Sequence, residues 1–322
     1  MSSPAAPSGA PLPAPAGAPT LHFIGVSTAR SSIRTVFPQW AAQLGLHDAR
    51  LEGIDLPLHA PRGHYREVVD FIAADPLSLG ALVTTHKIDL FRACRDQFDV
   101  VDPLAELTGE VSCLSKRGGR LVCHAKDPVS SGLALQALLP PRHFERTGAE
   151  AFLVGAGGSA VAISWYLTRP HHGADRPARI VVSDRDPQRL RSLRALHAHL
   201  GSDVPIETVH ATGVTDNDAV LAGLRPGALV VNATGLGKDA PGSPLSDAAR
   251  FPRDAIAWDL NYRGELVFLQ QARAAGHVRA VDGWVYFLHG WTRVVAEVFD
   301  VEIPTDGPRF EALERTAARA RR

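Results

Sequence analysis

The stretch AFLVGAGGSAVAISWYL, residues 151–167, decides the fold of this chain. Four apolar residues, Ala151–Val154, precede Gly155, Gly157 and Gly158, and a segment of small and apolar residues with helical spacing follows. This order predicts a strand, a tight turn and a helix. Glycines in such a turn let the backbone approach a pyrophosphate, and the helix start offers N–H groups and the positive end of its dipole. Turns of this kind also occur without any ligand.

A second apolar run, residues 179–183, ends at Asp184, roughly twenty residues beyond the glycines, where a dinucleotide fold places the group that meets the adenosine ribose. A carboxylate there accepts hydrogen bonds from the ribose hydroxyls and repels a 2′-phosphate. NAD is therefore the predicted cofactor. Arg185 follows immediately and could instead hold that phosphate, so NADP stays possible.

The composition bounds the class of protein. The 322 residues suggest one large domain or two ordinary ones, and 34 basic against 34 acidic side chains give no reason to expect nucleic acid or an anionic membrane as partner. No apolar run reaches the 18 or so residues of a membrane span. Cys94, Cys113 and Cys123 lack C-x-x-C spacing, which favours reduced thiols in the cytoplasm. The histidine pairs have no supporting ligands, so no metal is predicted.

The chain divides into a tail and two predicted domains. Residues 1–20 are rich in Pro and Ala and are predicted to be disordered. Strands and helices then alternate, which predicts an open α/β domain over residues 21–132, followed by a doubly wound, Rossmann-type NAD(P)-binding domain over residues 133–283. A C-terminal helix at about 284–310 would complete the first domain. In it Tyr286, Phe287, Leu288 and Trp291 are predicted to be core residues.

Two charged residues stand where strands are predicted to end. A short buried strand, residues 80–84, leads to Lys87, and the second strand of a predicted hairpin leads to Asp127. Ligands of open α/β sheets bind at the carboxyl ends of strands. A lysine in this position is more often merely solvated, and Asp127 could simply cap the helix predicted to begin at Ser131.

At this point the chain resembles the shikimate and quinate dehydrogenases. The matching segments, in chain order, are residues 80–87 (GALVTTHK), 110–113 (EVSC), 124–127 (HAKD), 155–160 (GAGGSA), 184–189 (DRDPQR), 232–237 (NATGLG), 259–262 (DLNY) and the late Gly283. The order and spacing cover nearly everything from residue 21 to about residue 301.

The resemblance implies hydride transfer between a nicotinamide cofactor and a hydroxyl-bearing carbon of a six-membered ring. Lys87 would exchange a proton with that hydroxyl, and Asp127 would hold the ammonium and a neighbouring hydroxyl. The other implied substrate-binding residues are Ser31, Thr84, Ser112 and Tyr262. The implied cofactor-binding residues are Gly155, Ala156, Gly157, Gly158, Ser159, Ala160, Asp184, Arg185, Asn232, Ala233, Thr234 and Gly283. For Asn232 the alternative is that it only closes a turn.

Three substrate contacts differ from the family pattern. Ile33 stands at the second serine of the carboxylate-binding loop, Ser112 at an asparagine, and Gly290 at a glutamine. Arg30 or Arg34 could replace the serines as a carboxylate clamp, because a guanidinium pairs with a carboxylate in a bidentate fork. The alternatives are that either arginine is only a surface charge and that the ring lacks the carboxylate.

The expected partner is therefore a cyclic polyol or hydroxy acid: shikimate, quinate, aminoshikimate or a related C7-cyclitol. The expected assembly is a monomer or homodimer. A non-catalytic dinucleotide-binding sensor or regulatory protein is the alternative.

Overall fold

The computed structural model describes residues 12–238 and 240–321, and the chain forms two compact units. The first unit takes residues from both sides of the second: it comprises Met1–Ala125 and Val294–Arg322, and the second comprises Lys126–Arg293.

The first unit is an α/β sheet of six strands in the order β2-β1-β3-β5-β6-β4. β1 pairs in parallel with β2 and β3, and the β5–β6 hairpin continues the sheet in antiparallel fashion from β3. Its strands are β1 (Thr20–Gly25), β2 (Arg50–Asp55), β3 (Ser78–Val83), β4 (Val100–Val101), β5 (Cys113–Arg117) and β6 (Arg120–His124), and its first helices are α1 (Ile33–Leu44), α2 (Arg62–Ala74), α3 (Lys87–Cys94) and α4 (Pro103–Thr108).

The second unit contains a six-stranded sheet in the order β12-β11-β10-β7-β8-β9. All of its neighbouring strands pair in parallel. Its strands are β7 (Ala151–Val154), β8 (Ile180–Asp184), β9 (Ile206–His210), β10 (Leu229–Asn232), β11 (Ile256–Asp259) and β12 (Arg279–Val281). The helices from here to the end of the described chain are α5 (Asp127–Leu138), α6 (His143–Thr147), α7 (Gly158–Leu167), α8 (Pro187–His199), α9 (Val214–Ala222), α10 (Val267–Ala274), α11 (Trp284–Phe299) and α12 (Gly307–Arg319).

The strand order of the second unit reverses between β7 and β10, which is where doubly wound folds bind ligands. A buried apolar cluster lies on each face of this sheet, as a parallel sheet covered by helices requires. The predicted fold, an open α/β domain with a Rossmann-type domain, is confirmed.

The predicted tail is wrong in its described part. Residues 1–11 lie outside the described residues. Beyond them, the backbone N–H of Ala16 donates to Asp75 Oδ2 at 2.7 Å, and Thr20 already belongs to β1. The Pro/Ala-rich composition therefore concealed an anchored segment.

The boundary between the units also differs from the predicted one at residue 132. Helix α5 begins at Asp127 rather than at Ser131, because Pro128 is well suited to the first turn of a helix. The whole helix packs against α7 of the second unit. The two helices approach so closely that a Cβ added to Gly132 would lie 2.4 Å from the Tyr166 ring.

The predicted C-terminal helix is in fact two helices, α11 and α12. Helix α12 packs on α1 in the first unit, where Trp40 Nε1 donates to the carbonyl oxygen of Leu313 at 2.8 Å and Gln43 Nε2 donates to Thr316 Oγ1 at 2.6 Å. Across the described residues, no helix is both long enough and apolar enough to cross a membrane.

Candidate active site

In the first unit, backbone hydrogen bonds bring three predicted site residues to one end of the sheet. Thr84 follows β3, and its N–H donates to Ile24 O at 3.0 Å. The N–H of Val83 donates to Ser112 O at 2.9 Å, and the N–H of Val111 donates to Lys87 O at 3.1 Å. Thr84, Lys87 and Ser112 therefore belong to one continuous backbone network.

Lys87 is the first residue of α3 and is only 9% exposed. A lysine is rarely buried without a specific reason, because its ammonium loses water on burial. Ser31, the first serine of the predicted carboxylate loop, is also buried, and its N–H donates to Thr28 O at 3.1 Å. The environment of Lys87 excludes the interpretation of a merely solvated surface residue.

Sequence reasoning missed a buried pair that flanks Lys87. The hydroxyl of Tyr65 lies 3.1 Å from Nδ1 of His86, and both side chains are buried. Burial raises the pKa of Tyr65 to about 12. The tautomer of His86 decides which of the two atoms donates the hydrogen bond. Between Thr84 and this pair, Thr85 adopts a left-handed conformation with φ of 64°, which is strained for a β-branched residue.

The changed residue of the predicted carboxylate loop is buried, whereas the two arginines near it are exposed. Ile33 is fully buried in the first unit and acts as a core residue. Arg34 is exposed, and its guanidinium donates to Leu51 O at 3.3 Å. Arg30 is exposed as well. The first unit thus replaces a serine by an apolar core residue and carries two arginines nearby on its surface.

In the second unit, the glycine turn has the form that a pyrophosphate needs. Gly155 has φ of 101°, and a Cβ there would lie 3.0 Å from Ala233 O, so only glycine fits between the ends of β7 and β10. Gly157 is the N-cap of α7 and no side chain caps that helix. A Cβ at Gly157 would meet only the Arg189 guanidinium, at 4.0 Å. The helix start can therefore be approached by an anion.

Asp184 closes this turn from the neighbouring strand. Its Oδ2 accepts a hydrogen bond from the N–H of Ala156 at 2.6 Å, and its Oδ1 accepts one from the N–H of Asp186 at 2.8 Å. A carboxylate can accept about four hydrogen bonds, so capacity for ribose hydroxyls remains. Arg185 is exposed beside it.

A buried polar network shapes the loop after β10. Asn232 is fully buried, and its Nδ2 donates to both carboxylate oxygens of Asp259 at 3.1 Å. Its Oδ1 accepts from the N–H and the hydroxyl of Thr234, at 3.1 and 2.6 Å. Burial raises the pKa of Asp259 to about 6. The Asn232 side chain thus holds the loop that carries Ala233 and Thr234.

Two further predicted residues adjoin the start of α11: Gly283 directly precedes the helix, and Tyr262, which follows β11, packs against it. Gly283 donates its N–H to Asn261 O at 3.1 Å, and a Cβ there would lie 2.0 Å from Leu260 O, so a side chain cannot be accommodated. The Tyr262 ring packs against Phe287 and Trp284, with ring centroids 4.6 and 5.4 Å apart.

Asp127 lies beside the glycine turn, and a residue predicted to be core contacts it. Asp127 is 5% exposed. The hydroxyl of Ser159, in the first turn of α7, lies 3.3 Å from Asp127 Oδ2, and the hydroxyl of Tyr286 donates to the same oxygen at 2.7 Å. Tyr286 is half-buried, and the only signal in the sequence is a phenol hydroxyl within an apolar run. The prediction of Tyr286 as a plain core residue missed this role.

Within residues 12–238 and 240–321, no group of three or more His, Cys, Asp or Glu side chains is placed to hold a metal ion.

Comparisons with known proteins identify relatives along most of the chain. The shikimate dehydrogenase (NADP(+)) of Symbiobacterium thermophilum is 30% identical over 239 residues, which are 73% of this chain and 76% of the relative. The enzyme of the same name from Methylocella silvestris is 30% identical over 276 residues, or 85% of this chain and 88% of the relative. No family model matches the chain.

Solved structures share the fold. Quinate dehydrogenase from Corynebacterium glutamicum in complex with NAD has a TM-score of 0.67 at 21% identity, covering 94% of this chain and 99% of the other. Shikimate 5-dehydrogenase from Thermus thermophilus in complex with NADP(H) and shikimate has a TM-score of 0.66 at 24% identity, with the same coverage.

Proposed function

The chain belongs to the shikimate dehydrogenase family, and from this we propose that it is a nicotinamide-dependent oxidoreductase acting on a ring hydroxyl. The observation that carries the proposal is the position of Asp127, a buried carboxylate hydrogen-bonded to Ser159 in the glycine turn. A carboxylate held beside a dinucleotide-binding turn supports this activity, because it can act on a substrate next to the nicotinamide.

The residues have distinct roles in the proposal. When bound, a nicotinamide cofactor held by the glycine turn and Asp184 would supply hydride transfer to or from the carbinol carbon. In the oxidation direction, the amine of Lys87 takes the proton of the reacting hydroxyl, and in reduction its ammonium returns that proton. Asp127 accepts hydrogen bonds from a neighbouring hydroxyl and from Lys87. Thr84, Ser112, Ser31 and Tyr262 bind the ring.

NAD is the proposed cofactor, with NADP as the alternative. Asp184 supports NAD, because its carboxylate is fixed by two backbone N–H groups at the end of β8 and would repel a 2′-phosphate. Asp186, two residues further on, adds a second negative charge, although it lies 3.8 Å from Arg189 Nε. The curated relatives are named for NADP(+), and the quinate dehydrogenase structure contains NAD. The cofactor therefore has to be measured.

The proposed substrates are carboxylated or carboxylate-free polyhydroxylated six-membered rings. Loss of a serine at Ile33, together with exposed Arg30 and Arg34, supports a ring whose carboxylate, if present, meets a guanidinium instead of two hydroxyls. Shikimate, quinate, aminoshikimate and a C7-cyclitol all remain within this class. A location in the cytoplasm and a monomeric or homodimeric state are part of the same proposal.

The deciding experiment is reduction of NAD and, separately, NADP by the purified protein against shikimate, quinate, aminoshikimate and carboxylate-free cyclitols. We expect turnover with at least one ring. Lys87→Met should lower kcat by about 10²- to 10⁴-fold, the usual range for a lost proton-transfer group, while cofactor affinity is kept. Lys116→Met is the matched control, because Lys116 belongs to the same unit and donates to the carbonyl oxygens of Ile72 and Asp75.

A second candidate is a dinucleotide-binding sensor without turnover. The three changed contacts, at Ile33, Ser112 and Gly290, favour it. Absence of turnover on the whole panel with cofactor still bound would support the sensor. Equal rates for Lys87→Met and the wild type would contradict the enzyme proposed here.

A further inference from the structure

We propose that Tyr286 is a positioning residue for Asp127, holding the carboxylate together with Ser159 of the glycine turn. The inference rests on the proposed function for its consequence, since it assigns a new residue to the same reaction. The residues and contacts from which it is argued all lie in the second unit.

Two hydroxyls converge on one carboxylate oxygen. The hydroxyl of Tyr286 donates to Asp127 Oδ2 at 2.7 Å, and Ser159 Oγ lies 3.3 Å from the same atom. The two hydroxyl oxygens are themselves 3.2 Å apart. Because both contacts act on Oδ2, they fix the rotation of the carboxylate about its Cβ–Cγ bond. The direction of Oδ1 is then set as well.

The proton count separates the two donors. Each hydroxyl has one proton to donate. The Tyr286 hydroxyl donates its hydrogen bond to Asp127 at a short distance, which is typical of a charge-assisted hydrogen bond. The proton of Ser159 can go to Asp127 or to the phenol oxygen, both at longer range. Ser159 can therefore exchange partners when an anion meets the first turn of α7, while Tyr286 keeps Asp127 in place.

The position of the phenol is itself fixed by the fold. Tyr286 lies in the first turn of α11, which starts directly after Gly283, where the chain touches Leu260 O too closely for any side chain. Its ring packs edge-on against Trp258 of β11, with centroids 5.9 Å apart and an interplanar angle of 82°. Trp258 is 2% exposed, so this support is rigid.

The consequence concerns substrate alignment. A buried carboxylate needs hydrogen-bond donors to stay charged and in one orientation. An aligned Oδ1 would meet a substrate hydroxyl without first losing rotational freedom. Removal of the Tyr286 hydroxyl should therefore reduce the rate of the chemical step more than it reduces cofactor binding.

The test uses the full-length protein and the best ring substrate of the panel. Tyr286→Phe keeps the ring and its packing on Trp258. We expect kcat/KM to fall by about 10- to 100-fold, as for the loss of a hydrogen bond to a charged group, with cofactor affinity by fluorescence titration unchanged. Tyr166→Phe is the matched control, because it removes a phenol whose bond goes to Gln136. Its kcat/KM should equal that of the wild type.

The Ser159 arm asks whether the two hydroxyls act as one unit. Ser159→Ala should cost less than Tyr286→Phe, and the double variant should lose less than the product of the two single effects, because both act on one oxygen. Multiplicative effects, or a normal rate for Tyr286→Phe, would overturn the proposal. If Tyr286→Phe failed to fold, the Ser159→Ala variant would decide whether Tyr286 positions Asp127. In that variant Asp127 should keep its orientation, because Tyr286 still donates to Oδ2.

Crystallography gives a readout that does not depend on turnover. In Tyr286→Phe we expect Asp127 to adopt a second orientation, or a single new one. An unchanged Asp127 carboxylate would refute the positioning role even in an active enzyme. Conversely, a wild type without turnover on every ring would refute the proposed function, while the crystal structures still decide whether Tyr286 positions Asp127.

Discussion

Asn232 Nδ2 lies 3.1 Å from each carboxylate oxygen of Asp259. These two residues are directly paired in register at the ends of the parallel strands β10 and β11. Asp259 Oδ1 also accepts from the N–H of Asn261 at 2.9 Å. One buried carboxylate therefore sets the course of the two loops that leave the sheet beside the switch point.

Asp259 should give the protein a pH-dependent stability. Burial raises its pKa from the ordinary value of 3.8 to about 6, so between these pH values the folded protein holds a proton that the unfolded chain has lost. This contribution to the free energy of unfolding is fully present below about pH 4 and disappears as the pH rises through about 6. Asp259→Asn cannot titrate, and its amide donors face those of Asn232, so it should lower stability by about 1–3 kcal/mol.

Urea denaturation of both proteins at pH 5 and pH 8 checks this expectation. The stability gap between wild type and Asp259→Asn should be larger at pH 5. His22 and His197 have the opposite effect on stability, because burial lowers the pKa of each to about 4. Both proteins contain these histidines, so their contribution cancels when the two free energies of unfolding are subtracted. Asp247→Asn is the control, since Asp247 is an exposed carboxylate of the same unit. A gap independent of pH would contradict the role assigned to Asp259.

Gly283→Ala should strongly destabilise the second unit. Its new Cβ would overlap Leu260 O at 2.0 Å, so the start of α11 must move. We expect a loss of about 1–3 kcal/mol in the free energy of unfolding, the usual cost of overpacking.

Gly290→Ala is the matched change in the same helix. Nothing lies within 4 Å of a Cβ at Gly290, so alanine should be neutral or stabilise by about 0.5–1 kcal/mol through its helix propensity. Thermal unfolding of the two variants side by side separates a steric effect from a general intolerance of α11. Equal melting temperatures would show that the backbone at Leu260 moves away from the new Cβ at no cost in stability.

Asp184→Asn should shift cofactor preference toward NADP. The variant loses the negative charge that would face a 2′-phosphate, while its amide oxygen can still accept the N–H of Ala156. We expect the ratio of the dissociation constants for NADP and NAD to fall about tenfold, equivalent to about 1.4 kcal/mol. Fluorescence titration measures both constants without any ring substrate.

The control for this change is Asp203→Asn, which removes an exposed carboxylate of the same unit that pairs with Arg176. Its cofactor ratio should match the wild type. If the ratio of the NADP and NAD dissociation constants were unchanged in Asp184→Asn, Arg185 rather than Asp184 would be the residue that selects the cofactor.

The sequence predicted the second unit better than the first for a physical reason. Strand β7 was found with its bounds, because an all-buried parallel strand is a continuous apolar run and Gly155 marks its end. Strand β12 was missed, since it has three residues and none is fully buried. Helix α3 was missed because it begins at Lys87 itself, directly after a strained turn at Thr85.

Contacts between distant residues explain what the sequence could not predict in the site. Tyr286 meets Asp127 across 159 residues, and helical spacing reveals which face of α11 is apolar but not where one hydroxyl finds its acceptor. The Tyr65–His86 pair joins two elements in the same way, across 21 residues. Asn232 was predicted by its motif, and what the sequence could not show is that its side chain bonds Asp259 of the neighbouring strand.

The division of the first unit into two stretches of chain dictates its order of assembly on the ribosome. Trp40 donates to Leu313, 273 residues later, and the whole second unit is translated between them. The second unit is continuous and can fold as soon as it emerges, since domains fold as units during synthesis. The acceptor of the Trp40 indole N–H is missing until α12 has been translated. A nascent chain halted before residue 307 would therefore lack this contact, and the first unit would be incomplete.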